Sequence, residues 1–340
     1  MSRNVLIATS ALLLLLLVGS VLLDRLVKPR NMTWEDIYYS WVEGGRILHG
    51  QNPYARVFDG DLETNDKYAT YFPLFYEASY LSERLGLEAY PPWLAFWRSV
   101  FIAFELATAV LLYLTAVRRN LPWFGVLIAA FWLFNRWTIQ MLQVVNLDFV
   151  PLFFLLLSLV LFARHQKLSL FFFSLSLGVK QIAIFLTPLY LMWLWRSSRP
   201  ERRIRDLLTG AAIIASVPFV TSIPFLLWEP RAFVYSIFFS ITRVADTPPG
   251  LARSLSYLLD GQTLVDRLLM FGLMIGIFVL AWRMPAARYV AAFLVMLVFV
   301  CFNPVIYIQY ILWAILLGLM VLCDVRDLLP ASSPPSNLAT

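Results

Sequence analysis

Two acids seven residues apart follow the first apolar segment, in the stretch TWEDIYYSWVEGGRILHGQNPY from Thr33 to Tyr54. A carboxylate just beyond a membrane span can act as a general base if a partly apolar setting raises its pKa and an acceptor hydroxyl comes within hydrogen-bond distance. Asp36 is the first candidate, and Glu43 lies two helical turns along the same face. The stretch also predicts a helix capped by Thr33, in which an early acid is favoured by the helix dipole. The local pattern leaves both interpretations open.

Lys180 is the second candidate, because it lies inside the apolar run 168–195, which is too long for a single span. A charge at mid-helix costs about 2.5–3.5 kcal/mol on insertion scales and usually marks a site or a pathway. The pattern therefore predicts two short helices that meet at a bend near Gly178, Lys180 and Gln181. An ammonium at an outer-face bend could neutralise a phosphate; the alternative is a side chain that only extends to the membrane surface.

Two further pairs of polar residues interrupt apolar segments. Arg98 and Glu105 are seven residues apart and thus share a helix face, where they could form a buried ion pair or serve a function. Asn146 and Asp148 open the next but one apolar segment, where the alternative to a functional role is a helix cap.

The last apolar segment begins FNPVIYIQYILW, with Asn303 and Pro304 interrupting the run. Gln309 follows, between Tyr307 and Tyr310. A proline bend surrounded by polar groups usually faces a cavity rather than lipid. Asn303 and Gln309 are therefore candidate site residues.

Common catalytic signatures are absent from the sequence: it has no phosphate-binding Gly-Lys-Ser/Thr loop, no Gly-x-Ser-x-Gly elbow and no His-Glu-x-x-His motif. The two histidines, His49 and His165, and the two cysteines, Cys301 and Cys323, show no metal-ligand spacing. These observations argue against nucleotide hydrolysis and zinc chemistry on this chain.

The composition predicts a polytopic membrane protein. Of its 340 residues 60% are hydrophobic and 14% are charged, and the mean hydropathy is +0.73. The net charge of +6 falls mostly in short loops, which indicates membrane orientation rather than nucleic-acid binding. We expect an all-α bundle of about ten transmembrane helices, with spans near 5–23, 96–117, 121–139, 147–163, 168–195 (two helices), 207–228, 264–282, 289–303 and 308–323.

The distribution of Lys and Arg predicts the topology, because short cytoplasmic loops hold most of these residues. Both termini are then cytoplasmic, and the outer face receives a first loop at 24–95, a second loop at 229–263 and the Lys180 bend. We expect residues 1–327 to form a single integral membrane domain and the Pro/Ser-rich tail at 328–340 to be disordered. The first loop has eleven acids against seven Lys or Arg and many aromatic residues, which favours helices lying along the membrane surface.

Together, these motifs resemble those of the GT-C glycosyltransferases, membrane enzymes that take sugars from polyprenyl-phosphate donors. The similarity is greatest to bacterial polyprenol-phosphate-mannose-dependent mannosyltransferases and to the catalytic subunit of GPI mannosyltransferase I. The residues that carry the resemblance are Asp36 with the Tyr-rich stretch and Gly-x-x-Pro-Tyr turn behind it, YFPLFYEASYL from Tyr71, Arg98 with Glu105, Val145 to Asp148, Lys180, the stretch around Arg243 and Arg253, and FNPVIYIQYILW.

The resemblance implies an inverting transfer of a hexose, with mannose the expected sugar, from a polyprenyl-phosphate donor to a lipid-linked or glycan acceptor. Asp36 would be the catalytic base, and Lys180, Arg243 and Arg253 would bind the donor phosphate. Glu43, Tyr71, Arg98, Glu105, Asn146, Asp148, Asn303 and Gln309 would bind substrate or serve as structural polar residues. The site would lie on the extracytoplasmic side of a bacterial inner membrane.

The chain departs from the family in one place. Many members carry Asp-x-Asp in the first loop, whereas Trp34 stands two positions before Asp36 here. A single acid favours a site that needs no metal and no other cofactor. Two other classes remain open: a secondary transporter or lipid flippase with Lys180, Glu105 and Asp148 as a polar path, and a scaffold subunit of an envelope complex.

Overall fold

The chain forms α-helices throughout the part that the computed structural model describes, residues 2–27, 35–58, 68–242, 254–255, 264–284, 288–303 and 306–323. Fourteen α-helices and no strand occur among these residues, which confirms the predicted all-α class. The helices are α1 Arg3–Val27, α2 Glu35–Leu48, α3 Leu74–Arg84, α4 Tyr90–Arg118, α5 Pro122–Phe134, α6 Arg136–Gln143, α7 Phe149–Leu161, α8 Gln166–Val179, α9 Thr187–Ser197, α10 Arg203–Trp228, α11 Pro230–Thr242, α12 Leu264–Arg283, α13 Arg288–Phe302 and α14 Ile308–Cys323.

Three helical segments of the described residues are long and apolar enough to cross a membrane. They are α1, α4 and the segment Pro200–Trp228, in which a short 3-10 turn leads into α10. Five further helices are apolar but shorter, namely α5, α7, α8, α13 and α14. The chain thus has the character of a membrane protein, and the ten-span topology stays a prediction.

One predicted span is wrong in its extent. The sequence predicts one helix over 121–139, but α5 ends at Phe134 and α6 begins at Arg136. Asn135 between them is extended, and its side-chain oxygen accepts a hydrogen bond from the backbone N–H of Thr138 at 2.9 Å. A side chain that caps a new helix competes with continuation of the old one, which explains the break.

The predicted bend at Lys180 is confirmed. α8 ends at Val179, Lys180 has extended backbone angles, and a 3-10 turn over Gln181–Leu186 leads into α9. α7 and α8 pack as antiparallel neighbours, so the Lys180 bend at the end of α8 lies beside the start of α7.

α4 forms the centre of the bundle and packs against α1, α5, α7 and α14. Its residues Ala109, Leu112 and Ala116 are completely buried. Gly125 of α5 lies against this face, where an added Cβ would come 3.0 Å from the Cβ of Ala116. Small residues at such contacts allow helices in an apolar environment to approach closely.

The two helices of the predicted first outer loop, α2 and α3, pack tightly against each other. Gly44 makes this approach possible, because a Cβ at this position would overlap Ser79 Oγ and lie 2.7 Å from Ser79 Cβ. Because α2 also carries Asp36, this contact helps to fix the candidate base. Of the second predicted loop, 229–263, the structure describes residues 229–242, which include α11, and residues 254–255. The predicted tail at 328–340 lies outside the described residues.

The space around two helical glycines, Gly44 in the α2–α3 contact and Gly276 in α12, predicts opposite effects on stability for replacement by alanine. Gly44→Ala should destabilise the protein by about 1–3 kcal/mol, because the added methyl group overlaps Ser79. Gly276→Ala in α12, where nothing lies within 4 Å of an added Cβ, should stabilise by up to about 1 kcal/mol through lower backbone entropy. Thermal unfolding in detergent measures both, and equal effects would contradict the steric argument.

Candidate functional site

A chain of polar side chains joins five of the predicted site residues, which come from four separate parts of the sequence. Lys180 Nζ lies 2.8 Å from Asp148 Oδ1 and 2.9 Å from Asp148 Oδ2. The backbone N–H of Asp148 donates to Asn146 Oδ1 at 2.8 Å, and Asn146 Nδ2 donates to Gln309 Oε1 at 2.9 Å. Gln309 Nε2 then donates to Asp36 Oδ2 at 3.3 Å. Elements that are far apart in sequence thus meet at one polar cluster.

The ion pair between Lys180 and Asp148 is buried in the bundle. The side chains are 1% and 0% exposed, respectively. The indole N–H of Trp313 points to Asp148 Oδ1 at 3.4 Å, and the ammonium lies 4.9 Å from the ring centre of Tyr71 and 5.9 Å from that of Tyr310. The alternative in which Lys180 only reaches the membrane surface is therefore wrong. Its charge is matched by a carboxylate and by the electron-rich faces of two rings.

Asp36 lies in the first turn of α2 and is half-buried. Its carboxylate interacts electrostatically with Tyr71, Tyr76 and Asp148. The position satisfies both interpretations of the sequence, because an acid in the first turn gains from the helix dipole and also faces the polar cluster. Thr33, the predicted cap, lies outside the described residues.

The turn between α6 and α7 presents Asn146 through a strained backbone. Val145 has φ of +53°, which is a left-handed conformation that a β-branched residue rarely adopts and that costs about 1–3 kcal/mol. The cap interpretation of Asp148 is wrong, since its side chain makes no capping hydrogen bond to α7 and instead binds Lys180. Asn146 accepts the N–H of Asp148, two residues on, as an Asx turn does.

Tyr71 lies beside the ion pair and is tied to the rest of the molecule by its backbone. The hydroxyl of Tyr54 donates to the Tyr71 carbonyl at 2.8 Å. Gln181, which follows the Lys180 bend, donates to the Thr70 carbonyl at 2.6 Å. The segment before α3 is thereby held against the bend in α8 and α9. Burial is the largest of the effects that raise the pKa of the Tyr71 phenol well above its usual value.

Glu43 belongs to a second cluster on the same helix. Its carboxylate is 1% exposed and lies 3.0 Å from Arg56 and 3.5 Å from Arg46. The Arg56 guanidinium also lies over the rings of Tyr39 and Tyr68. Burial raises the pKa of Glu43 to about 7, although both arginines lower it. Glu43 therefore has basic partners of its own on α2 and in the 3-10 turn Ala55–Phe58.

Glu105 is fully buried, but its ion pair is not with Arg98. Arg25, near the end of α1, places Nη2 3.6 Å from Glu105 Oε1 and donates to the Leu133 carbonyl at 3.0 Å. Arg98 makes no ion pair among the described residues, and its Nε has no hydrogen-bond partner there. The alternative in which Arg98 and Glu105 form an ion pair is thus wrong, and Glu105 instead pairs with Arg25 and connects α4 to α1.

The remaining predicted site residues are Asn303, Arg243 and Arg253. Asn303 directly follows α13 and is half-buried. Arg243 and Arg253 lie outside the described residues.

Trp313 and Arg25 are among the residues of these clusters that were not predicted as site residues from the sequence. Trp313 follows Gln309 by four residues and thus shares its helix face, a spacing that could have indicated it. Arg25 follows the first apolar run, where a charge looks like an ordinary flanking residue. Nothing in the local pattern indicates that it turns inward to Glu105.

No protein-family model matches the sequence, and comparison with curated proteins finds no significant match. Among the described residues no three His, Cys, Asp or Glu side chains come together as a metal site. What the cluster offers chemically is a half-buried carboxylate, Asp36, with an amide donor on one oxygen and a buried, neutralised ion pair behind it. Such a carboxylate is suited to taking a proton from a hydroxyl.

The Lys180–Asp148 pair makes a testable prediction for stability. Lys180→Met and Asp148→Asn should each destabilise the protein by about 3–5 kcal/mol, because each leaves a buried charge without its partner. The double variant should be closer to the wild type than the sum of the two losses, since it buries no charge. Thermal unfolding of the four proteins in one detergent measures this coupling. Additive losses would show that the two charges do not depend on each other.

A second prediction concerns pH and the α2–α3 contact. The Glu83 side chain is 2% exposed and accepts a hydrogen bond from Ser79 at 3.1 Å, and burial raises its pKa to about 7. Its folded-state pKa thus exceeds the ordinary value of 4.5, so the folded protein holds a proton that the unfolded chain releases. The contribution of Glu83 to stability should therefore fall as pH rises from about 4.5 to about 7.

Glu83→Gln should make the melting temperature less dependent on pH between 5 and 8, because the amide keeps the acceptor for Ser79 but does not titrate. Glu201→Gln is the matched control, since Glu201 is exposed in the 3-10 turn before α10. Melting curves across this pH range measure the effect. Parallel curves for wild type and Glu83→Gln would contradict the assignment.

Proposed function

We propose that this protein is an inverting glycosyltransferase of the membrane, which transfers a hexose from a polyprenyl-phosphate donor to a lipid-linked or glycan acceptor. Mannose is the proposed sugar, by the resemblance of the motifs to GT-C mannosyltransferases. The observation that carries the proposal is the hydrogen-bonded path from half-buried Asp36 through Gln309 and Asn146 to the Asp148–Lys180 pair. These residues are the ones through which the sequence resembles that family.

The chemistry needs one base and one stabilised leaving group. In the proposed step the acceptor oxygen forms a bond to the anomeric carbon of the sugar while its proton passes to Asp36. The bond between the anomeric carbon and the phosphate oxygen breaks on the opposite face, so the configuration inverts. The electron pair leaves with the polyprenyl phosphate, and Asp36 later returns its proton to solvent. The donor already carries its leaving group, so the step uses no nucleotide or redox cofactor.

The role of Lys180 changes from the one that the resemblance implied. Asp148 contacts the ammonium at two oxygens and protein surrounds it, so in this proposal Lys180 does not bind the donor phosphate directly. Its charge instead cancels that of Asp148, which would otherwise add a second negative charge to the site of a leaving anion. Arg243 and Arg253 stay in the proposal as phosphate-binding residues of the second outer loop.

The proposed setting is a bundle of ten transmembrane helices with the site at its extracytoplasmic end. α2 and α3 would lie along the membrane surface, where a donor with its tail in the bilayer presents its phosphosugar. Support comes from the helix ends that meet at the cluster: the start of α7, the end of α8 and the start of α14. Alternating spans bring these three ends to one side of a membrane, as the predicted topology requires.

The transporter hypothesis receives less support from the ion pairs. It needs Lys180, Asp148 and Glu105 to form one polar path, but Glu105 pairs with Arg25 and Asp148 pairs with Lys180. Both pairs are largely buried and locally neutral. A cluster that ends at a half-buried carboxylate fits proton abstraction from a bound hydroxyl better than passage of an ion.

The experiment that tests this proposal replaces Asp36. Purified protein in liposomes, supplied with a panel of polyprenyl-phospho-sugars and a membrane lipid extract as acceptor, should release polyprenyl phosphate from one of them. Asp36→Asn should lower that rate about 10²–10⁴-fold, because it removes the base and keeps the shape of the side chain. Asp206→Asn, the same change in the first turn of α10, is the control and should be unaffected. Transfer by Asp36→Asn at the wild-type rate would exclude Asp36 as the base.

A further inference from the structure

The amide groups of Asn146 and Gln309 form a hydrogen-bond chain with only one consistent direction. The chain starts at the backbone N–H of Asp148, which can only donate, so the Asn146 atom that it meets must be the carbonyl oxygen. The amide nitrogen of Asn146 then faces Gln309, whose near atom must be its oxygen. The nitrogen of Gln309 is consequently turned to Asp36 and requires an acceptor there.

The fixed direction of these hydrogen bonds places a donor against the Asp36 carboxylate. An ionised carboxylate accepts hydrogen bonds on both oxygens, whereas a protonated one has an O–H that must donate. A donor held on Asp36 Oδ2 at 3.3 Å therefore favours the ionised form. This is the form that a general base needs before it reacts.

The residues that lead to Asp36 in this hydrogen-bond chain are buried, so the arrangement belongs to the packed interior and not to the protein surface. Asn146 is 2% exposed, Gln309 is 3% exposed and Asp148 is completely buried. Lys180 and Trp313 hold the Asp148 side chain at the far end. The left-handed backbone at Val145, next to Asn146, is a second observation that points to the same turn. Strain in such a turn persists only where the surrounding contacts determine its geometry.

We propose that Asn146 and Gln309 are positioning residues, which orient Asp36 and keep it ionised through a one-way chain of hydrogen bonds that is anchored at Asp148. The inference rests on the proposed function in one respect, because it explains why the proposed base is ionised. The protonation state of Asp36 itself can be measured without substrate. Asn146 acts on Asp36 only through Gln309. Replacing Asn146 should thus change the pH at which Asp36 takes up its proton, although only the Gln309 amide links the two side chains.

The test measures the protonation of Asp36 directly, by pH-difference infrared spectra of full-length protein labelled with ¹³C at the aspartate carboxyl, with the Asp36→Asn spectrum subtracted. Gln309→Met removes the donor at nearly constant volume. Asn146→Ser keeps a hydroxyl that can accept the N–H of Asp148 but is too short to reach Gln309. Both should raise the pH at which Asp36 takes up its proton, by about one pH unit for Gln309→Met and by less for Asn146→Ser.

The control is Gln166→Met at the start of α8, where the side chain bonds to Ser197 and should not affect Asp36. Tyr71, Tyr76 and Asp148, which are among the titratable groups that interact with Asp36, are intact in all three variants. A midpoint that stays at the wild-type value in either Gln309→Met or Asn146→Ser would overturn the inference. If Asn146→Ser does not fold, Asn146→Thr is the second variant, with the same expected shift.

The infrared result separates this inference from the proposed function. Where sugar transfer occurs, the acidic limb of the kcat/KM profile should move upward together with the infrared midpoint. A shifted midpoint in a protein that transfers no sugar would leave the positioning role standing and reject the transferase. An unshifted midpoint would reject the positioning role whether or not sugar is transferred.

Discussion

The buried ammonium of Lys180 is the constraint on which the polar end of the bundle depends. A charge removed from water costs several kcal/mol unless a partner of opposite sign and further polar contacts compensate for it. Asp148 supplies that partner at 2.8 Å, and two tyrosine rings cover the remaining side. Because the pair must form for α8 to stay buried, the start of α7 and the end of α8 are fixed relative to each other.

The α7–α8 hairpin is held by polar contacts along its whole length. Ser158 and Ser169 each donate to the other's backbone carbonyl, at 2.7 and 2.8 Å. Ser176 donates to the Pro151 carbonyl at 2.8 Å, and the Lys180–Asp148 pair follows. Each hydrogen bond between helices contributes modestly in an apolar environment, but these four contacts at three successive levels set the register of the hairpin. A register slip would separate Lys180 from Asp148 and leave both charges buried without partners.

Much of the helical architecture could be predicted from the sequence, because apolar runs and the position of one charge determine it. α8 and α9 separate at Lys180, as expected because a charge in the middle of an apolar helix is costly. α14 occupies the predicted range 308–323. The break at Asn135 was missed because a capping side chain acts over three residues and leaves the apolar pattern intact. Periodicity reports which residues face inward, and it is insensitive to such local competition.

The pairing of charges could not be predicted in the same way. Spacing along one helix suggested Arg98 for Glu105, but the bundle brings Arg25 from another helix to that acid. Spacing within a helix can indicate only neighbours on that helix, whereas buried charges are paired by tertiary packing. The cluster around Asp36 was indicated residue by residue, through polar types at the ends of apolar runs. The hydrogen bonds between these residues were not indicated, because they join positions as far apart in sequence as 36 and 309.

The distribution of strain and charge gives the site its physical character. Val145 adopts a backbone conformation that costs free energy, and Lys180 and Asp148 lose their hydration. Val145 and Asp148 lie in the turn before α7, and Lys180 meets Asp148 from the end of α8. The packing of α7 against α4 and α8 must offset these costs. A site assembled in this way has little freedom to rearrange, so the direction of its hydrogen bonds is set before any ligand arrives. Preorganised dipoles of this kind stabilise a charge without reorganising, and here they point at Asp36.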